Sequence, residues 1–266
     1  MALGIVLGFL AIFFFFIPVF RGDILVSPTI DLGPLNIRWY GLMMATSILV
    51  GYFIARKHSW RFGIDANEVD NLAFWLVIVG LIGARLYYVI FAFDYFRESP
   101  MEIYKLWRGG MSIFGALIAG LIFLVFYSKS KAYTKYQLLD LVALSLPISQ
   151  AVGRFGNFFN QEAYGKATNL PWKMYVAASG QYHHPTFLYE ALLNLIVFLV
   201  LVKMVGKVKS GTIAFAYLIL YSLIRFFIEP LRVDSVFIYG FRVDQATAFV
   251  LIVIAGIQFL RLNRAR

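Results

Sequence analysis

The sequence predicts an all-α integral membrane protein with about eight transmembrane helices, forming a single membrane domain over 1–266. Three observations carry this reading. Of the 266 residues, 61% are hydrophobic and only 14% charged, whereas soluble domains carry roughly a quarter charged residues. The apolar residues gather into runs near the length of about 20 that a helix needs to cross roughly 30 Å of hydrocarbon. The basic residues lie between those runs, clustered at alternate helix ends.

The runs fall at 2–20, 40–55, 71–93, 111–128, 138–157, 186–202, 212–229 and 244–260. The first lacks a basic leading region and is followed by Pro18-Val19-Phe20-Arg21 rather than a small-residue cleavage site. It therefore reads as an uncleaved N-terminal helix within 1–22, not as a signal peptide. The second and sixth are short for a span. The longest connection, 158–185, leaves no room for a soluble domain and is expected to be an extracytoplasmic loop.

The net charge of +10 invites a nucleic-acid reading, but the distribution argues against it. Four clusters, Arg56/Lys57/Arg61, Lys129/Lys131/Lys135, Lys203/Lys207/Lys209 and Arg261/Arg264/Arg266, fall on one side if successive helices alternate in direction. By the positive-inside rule that side is the cytoplasm, which places both termini there. No nucleic-acid partner is expected. The chain has no cysteine, so a disulfide, a redox centre or an enzyme thiolate is excluded, and any reacting thiol belongs to a substrate. Its 3 histidines form no zinc pattern, and no metal or other cofactor is expected.

Charge inside a span is costly, about 2.5–3.5 kcal/mol for a central arginine on insertion scales, and marks function by default. Arg85, Arg154 and Arg225 qualify. Counted from the cytoplasmic helix starts at roughly 1.5 Å per residue, they lie about 21, 24 and 20 Å across, in the outer half of the bilayer. Tyr40, Asn157, Asn160, Glu162, His184 and Glu190 gather at the same level, joined by Tyr221, Glu229 and Arg232. Spacings of four put Tyr221, Arg225 and Glu229 on one stripe, so Arg225 and Glu229 can pair, and Arg154, Asn157 and Gln161 share a face if helix persists that far. Each residue also has a structural reading. Arg85 could snorkel to the headgroups, Glu190 could serve as the anion of a helix N-terminus, and Tyr40 beside Trp39 could be an interface anchor. Together, three converging guanidiniums, only partly neutralised by Glu162 and Glu229, predict a phosphate site. At that depth the phosphate is a phospholipid's.

The segment Gly153-Arg154-Phe155-Gly156-Asn157-Phe158-Phe159-Asn160-Gln161-Glu162-Ala163-Tyr164-Gly165 resembles the GRxGNFxNxExxG signature of the prolipoprotein diacylglyceryl transferase family. The resemblance extends to Ile37-Arg38-Trp39-Tyr40-Gly41, Gly83-Ala84-Arg85-Leu86, Gly109-Gly110-Met111-Ser112, His184-Pro185-Thr186-Phe187-Leu188-Tyr189-Glu190, and Tyr221 through Arg225 to Glu229. It covers roughly 27–262, leaving the first helix as an addition to a seven-helix family core.

The resemblance implies a reaction. The thiol of a prolipoprotein's lipobox cysteine, within its signal peptide, displaces glycerol 1-phosphate from phosphatidylglycerol and forms a diacylglyceryl thioether, the first step of lipoprotein maturation. It further implies that Arg154 and Arg225 are essential, with Tyr40 and Glu162 beside them in catalysis. Arg85, Asn157, Asn160, Gly165, His184, Tyr221, Glu229 and Arg232 would bind the lipid, Gly165 by letting the outer loop fold over the headgroup. Physical chemistry agrees, since a departing phosphate needs fixed cations in a dry site.

One position departs from the family pattern. Many relatives carry histidine, a proposed base, where this chain has Phe114 after Gly110-Met111-Ser112-Ile113. Either another group, Tyr40, Glu162 or His184, takes the proton, or the substrate thiol ionises beside the arginines, which lower its pKa. The second reading is favoured. The main rival is a transporter for an anion or lipid, whose sign would be interrupted helices paired in two related halves; no such repeat is present.

Overall fold

The computed structural model describes residues 16–264. Seven helices carry the fold: α1 (Trp39–His58), α2 (Ala66–Phe91), α3 (Ile113–Lys129), α4 (Lys135–Asn160), α5 (Thr186–Met204), α6 (Thr212–Ile228) and α7 (Val243–Arg264). Each falls on one of the runs read from the sequence. The run at 2–20 lies largely outside the described residues, of which 16–21 are helical.

Five stretches are long and apolar enough to cross a membrane: Ala66–Phe91, Lys135–Asn160, Thr186–Met204, Thr212–Leu231 and Val243–Arg264. Ile113–Lys129 is a shorter apolar helix, and α1 is not among the five. The chain is thus a mostly helical, multi-pass membrane protein, and the expected count of about eight spans is not reached among the described residues. Outward-facing Leu49, Phe53, Phe74, Leu121, Ile196 and Phe249 remain exposed along the helices, an apolar surface suited to lipid.

Local sequence sets the helix ends. Asp65 caps α2 by accepting from the Asn67 amide at 2.7 Å, and Thr134 with Gln137 forms a capping box on α4. The first turn of α6 is capped from another helix, because the buried Asp140 carboxylate accepts from the Gly211 and Ala214 amides at 2.6 and 2.8 Å. At that same end Gln137 reaches the Phe62 carbonyl and Lys209 the Leu262 carbonyl, so the described residues of the four basic clusters share one end of the bundle.

Helix α1 lies along α4, α2 along α3, and α4 also packs on α5 and α6, while α7 lies along α6. Ala143, Leu144, Val197, Leu201, Ile213, Tyr217 and Ile224 form the apolar core where α4, α5 and α6 meet. Small residues set the α2–α3 crossing. A Cβ on Gly83 would meet the Gly115 carbonyl oxygen at 2.6 Å, so only glycine permits this approach.

The end opposite the basic clusters carries three short antiparallel hairpins: β1 (Thr29–Leu32) with β2 (Leu35–Arg38), β3 (Met174–Val176) with β4 (Gln181–His183), and β5 (Phe237–Ile238) with β6 (Phe241–Arg242). Phe16, Val19 and Phe20 pack with Phe158, Met174, Val176 and Phe187, which ties the described end of the N-terminal segment beneath this face.

Candidate functional site

At that opposite end, four carboxylates and three arginines assemble from α4, α5, α6, the residues that link α6 to α7, and the first turn of α7. Glu190 is the hub. Its carboxylate pairs with Arg154 Nη2, with Arg225 Nη1 at 3.2 Å and with Arg232 Nη1 at 3.2 Å. Arg225 Nη2 also meets Glu229 at 2.8 Å and Asp244 at 2.5 Å. Arg232 is held from outside by Asp234, through Nη2 at 2.6 Å and Nε at 2.9 Å. Burial pushes the Asp234 carboxyl up, but the hydrogen-bonded Arg232 guanidinium overrides it and holds the group below the usual carboxylate range.

The four carboxylates divide into two kinds. Glu190 and Glu229 have side chains 1% and 2% exposed, while Asp234 and Asp244 are 45% and 42% exposed. The inner pair positions the guanidiniums, because removing one partner from a buried ionic network leaves an uncompensated charge costing about 3–5 kcal/mol. The outer pair is exposed at the rim of the cluster. Arg154 is the least saturated cation, with Glu190 on one nitrogen and only a long 3.4 Å contact from Nη1 to Asn157 Oδ1.

The glycine- and asparagine-rich signature builds the rim. Gly156 is needed because a Cβ there would meet the Tyr40 ring at 2.9 Å. Tyr40 thereby stands where its hydroxyl interacts electrostatically with both Glu162 and Arg154. The helix stops at Asn160, and Gln161 turns left-handed at φ 48°, so the chain reverses. The reversal brings Glu162 back to Asn157, whose Nδ2 donates to Oε1 at 2.8 Å. Arg154, Asn157 and Glu162 thus form a chain of contacts. Gln161 leaves that face and accepts from the Ala177 amide instead, correcting the expectation that helix would carry it there.

Gly165 lies where three segments cross. Its amide donates to the His184 carbonyl at 2.9 Å, the next amide donates to the Leu231 carbonyl at 2.7 Å, and it bridges Arg232. A Cβ there would meet His184 at 2.7 Å, so the loop is fixed against the segment that carries Arg232. The His184 ring faces Tyr189, whose hydroxyl lies 3.2 Å away and also accepts from Trp172. Tyr221 sits one turn before Arg225 and stacks on Tyr217 at 5.8 Å. Asn160 ends α4, half-buried.

Arg85 does not join the other arginines as expected. It is buried, and its guanidinium donates to the carbonyls of Glu102, Ile103, Gly109 and Gly110 at 2.5, 2.9, 2.6 and 2.8 Å. Gly109 and Gly110 adopt φ of 84° and 72°, backbone that favours glycine, and a Cβ on Gly110 would strike Arg85 Nη1 at 2.7 Å. Arg85 therefore ties the loop before α3 to α2. Phe114 begins α3, exposed, with its nearest ring partner Tyr87 at 6.3 Å.

Sequence reasoning missed the hub. Glu190 reads as a helix-terminal anion, yet it lies inside α5 and serves three arginines, with Arg232 taking the place expected of Arg85. The charge balance also differs. Glu190, Glu229, Asp234 and Asp244 together neutralise the cluster, not Glu162 with Glu229. The spacing of four did find the Arg225–Glu229 pair. An acid two residues beyond Arg232 was the available signal for Asp234, whereas nothing local marks Asp244.

Comparison with known proteins gives a consistent result. The family model for prolipoprotein diacylglyceryl transferase matches residues 27–261. A phosphatidylglycerol–prolipoprotein diacylglyceryl transferase of Fervidobacterium nodosum is 43% identical over 259 residues, covering 93% of this chain and 89% of the relative. Its counterpart in Thermotoga petrophila is 41% identical over 278 aligned positions, covering 100% and 94%, and that of Staphylococcus aureus 40% identical over 238, covering 85% of each.

Proposed function

The chain belongs to the prolipoprotein diacylglyceryl transferase family, and from that premise we propose how its arginine cluster performs the family's reaction. The protein is a transferase. It moves the diacylglyceryl group of phosphatidylglycerol to the thiol of a prolipoprotein's lipobox cysteine and releases glycerol 1-phosphate.

The observation that carries the proposed site is the unequal burial of the carboxylates around Arg154, Arg225 and Arg232. Buried Glu190 and Glu229 hold the guanidiniums in place, and the lipid phosphate takes the positions of the exposed Asp244 and Asp234. Bidentate recognition suits a planar guanidinium. Arg154, with the most open donors, receives the oxygen on which charge develops.

The thiol sulfur attacks the terminal glyceryl carbon, the S–C bond forms, and the C–O bond to phosphate breaks. The thiol proton passes to Glu162, which Asn157 holds beside Tyr40 and Arg154, while Arg154 favours the thiolate. Gly165 and His184 fix the loop over the site, Asn160 and Tyr221 line it, and Arg85 supports it from the neighbouring loop. Phe114 takes no part in proton transfer.

The site faces the outer leaflet of the bacterial inner membrane, with the four basic clusters and both termini in the cytoplasm and 158–185 outside. About eight spans, including the N-terminal one within 1–22, fit this arrangement. Both substrates are membrane-anchored and approach laterally. The test is direct: purified protein is incubated with phosphatidylglycerol and a lipobox peptide. A diacylglyceryl mass addition on the cysteine supports the reading, and lipid binding without product refutes it.

A further inference from the structure

Helix α1 packs along α4 and α2 along α3, and the apolar contact that joins the two pairs, through Ala55, Val69, Leu72, Leu124 and Leu138, lies at the basic end of the bundle. Outward from it a groove of 380 Å³ runs between α1 and α2. Ile48 and Leu49 of α1 and Ala73 and Phe74 of α2 line it, and Tyr52 and Asp70 stand at its basic end. Leu49 and Phe74 are exposed, as are Leu81 and Ile82 farther out on α2. The chemistry proposed for the arginine cluster uses none of these residues.

Asp70 sets the charge that the groove accepts. Among the described residues the basic end holds few acids, namely Asp65, Glu68 and Asp70 at the start of α2 and the buried Asp140. Asp65 caps α2, Glu68 pairs with Lys131 at 2.9 Å, and Asp140 caps α6. Asp70 lines the groove, with its side chain 41% exposed. Its Oδ1 accepts from the Tyr52 hydroxyl at 2.8 Å and from Arg56 Nε at 2.9 Å, whereas the contact of its Oδ2 with Arg56 Nη2 is a long 3.5 Å. A carboxylate offers about four lone-pair positions. Oδ2 therefore has room for a further cation at the mouth of an apolar channel.

We infer that this groove docks the signal peptide of the prolipoprotein, an inference that rests on the transferase reading. A signal peptide has a cationic start followed by about 7–15 apolar residues. In hydrocarbon its backbone must bond within itself, so the apolar stretch is a helix of about 10–22 Å. Along α1 the rise from Tyr52, which holds Asp70, to Tyr40, beside Arg154 and Glu162, is about 18 Å. The peptide's cation thus meets Asp70, its apolar helix fills the groove, and its cysteine arrives at the rim of the arginine cluster. A phospholipid chain suits the same walls, but its phosphate would stand against Asp70, whose Arg56 partner is already engaged.

The test uses the full-length protein in phosphatidylglycerol nanodiscs with a lipobox peptide that carries a benzophenone in its apolar stretch. Illumination is expected to mark Ile48, Leu49 or Phe74, read by mass spectrometry. Marks confined to Leu121 or Phe249, exposed on α3 and α7, or no marks at all, overturn the inference. Ala73→Trp should raise the KM for the peptide by about tenfold, the scale of overpacking a contact, while lipid binding measured without peptide stays unchanged. An unchanged peptide KM in the folded variant leaves the groove to lipid chains and contradicts the docking. Replacing the lysines at the peptide's start by glutamine should weaken its binding about two- to fivefold, the scale of an exposed ion pair, and Asp70→Asn should remove that difference. A difference that survives in folded Asp70→Asn, or that is the same however many apolar residues separate the lysines from the cysteine, reflects general surface potential and overturns the docking. Groove marks without diacylglyceryl addition would sink the transferase reading and leave the docking; addition with marks only elsewhere would sink the docking and leave the transferase.

Discussion

Glu190 and Arg154 pair across the α4–α5 contact, and the same carboxylate reaches Arg225 and Arg232, each at 3.2 Å. One buried anion thus sets the spacing of three cations. Glu190→Gln keeps the shape but removes the charge, so the guanidiniums repel one another and lose their common acceptor. Transfer should fall by about 10² or more, and stability should drop by about 3–5 kcal/mol, the cost of breaking a buried ionic network. Circular dichroism melts and a turnover assay read both, and a Gln variant of normal stability and rate would contradict the role of the hub.

Arg85 is predicted to matter for folding rather than for lipid binding. Arg85→Lys retains the charge but cannot reach four carbonyls at once. Each lost hydrogen bond to a charged group costs about 1.5–3 kcal/mol. Thermal stability should therefore fall while the apparent KM for phosphatidylglycerol in the folded fraction stays near the wild-type value. A raised KM at unchanged stability would return Arg85 to the phosphate site.

Phe114 separates this chain from relatives with histidine at that position. Phe114→Leu should keep most activity, because the ring is exposed and touches none of the arginines. Phe114→His should leave the pH–rate profile unaltered. A large rate gain with a new ionisation near pH 6.5, the unperturbed histidine value, would show instead that a base belongs there.

Single cysteines can be introduced freely, because the chain has none. Asn169→Cys, on the loop beside the arginine cluster, should react with an impermeant reagent from outside, and Ala132→Cys, among the basic residues at the other end, only after permeabilisation. The reverse pattern would overturn the orientation and the outer-leaflet site with it.

Much of this fold is legible in the sequence because lipid imposes a simple rule, apolar length between charged ends. That rule places α1 through α7 within a few residues. Helical spacing likewise yields the Arg225–Glu229 pair, and the signature from Gly153 to Gly165 points to Arg154, Asn157 and Glu162. What is hidden depends on tertiary contact. Glu190 meets Arg154 only because α4 packs on α5, and Asp244 meets Arg225 only because the chain returns from its hairpin alongside α6. Arg85 misled for a related reason. Its depth resembles that of Arg154, but the backbone at Gly109 and Gly110 turns two carbonyls toward it, and no side-chain pattern announces carbonyl ligands. The left-handed turn at Gln161, a residue without glycine's freedom, is similarly silent.

The central claim is that the forked guanidiniums of Arg154 and Arg225, not positive charge alone, hold the departing phosphate. It is tested most directly by measuring diacylglyceryl transfer from phosphatidylglycerol to a lipobox peptide with Arg154→Lys and Arg225→Lys, each checked for normal membrane insertion. Lysine keeps the charge and loses the planar fork. The account predicts that the rate falls by about 10²–10³ in each, the effect of removing one donor to developing charge. Near-normal turnover in both lysine variants would contradict it.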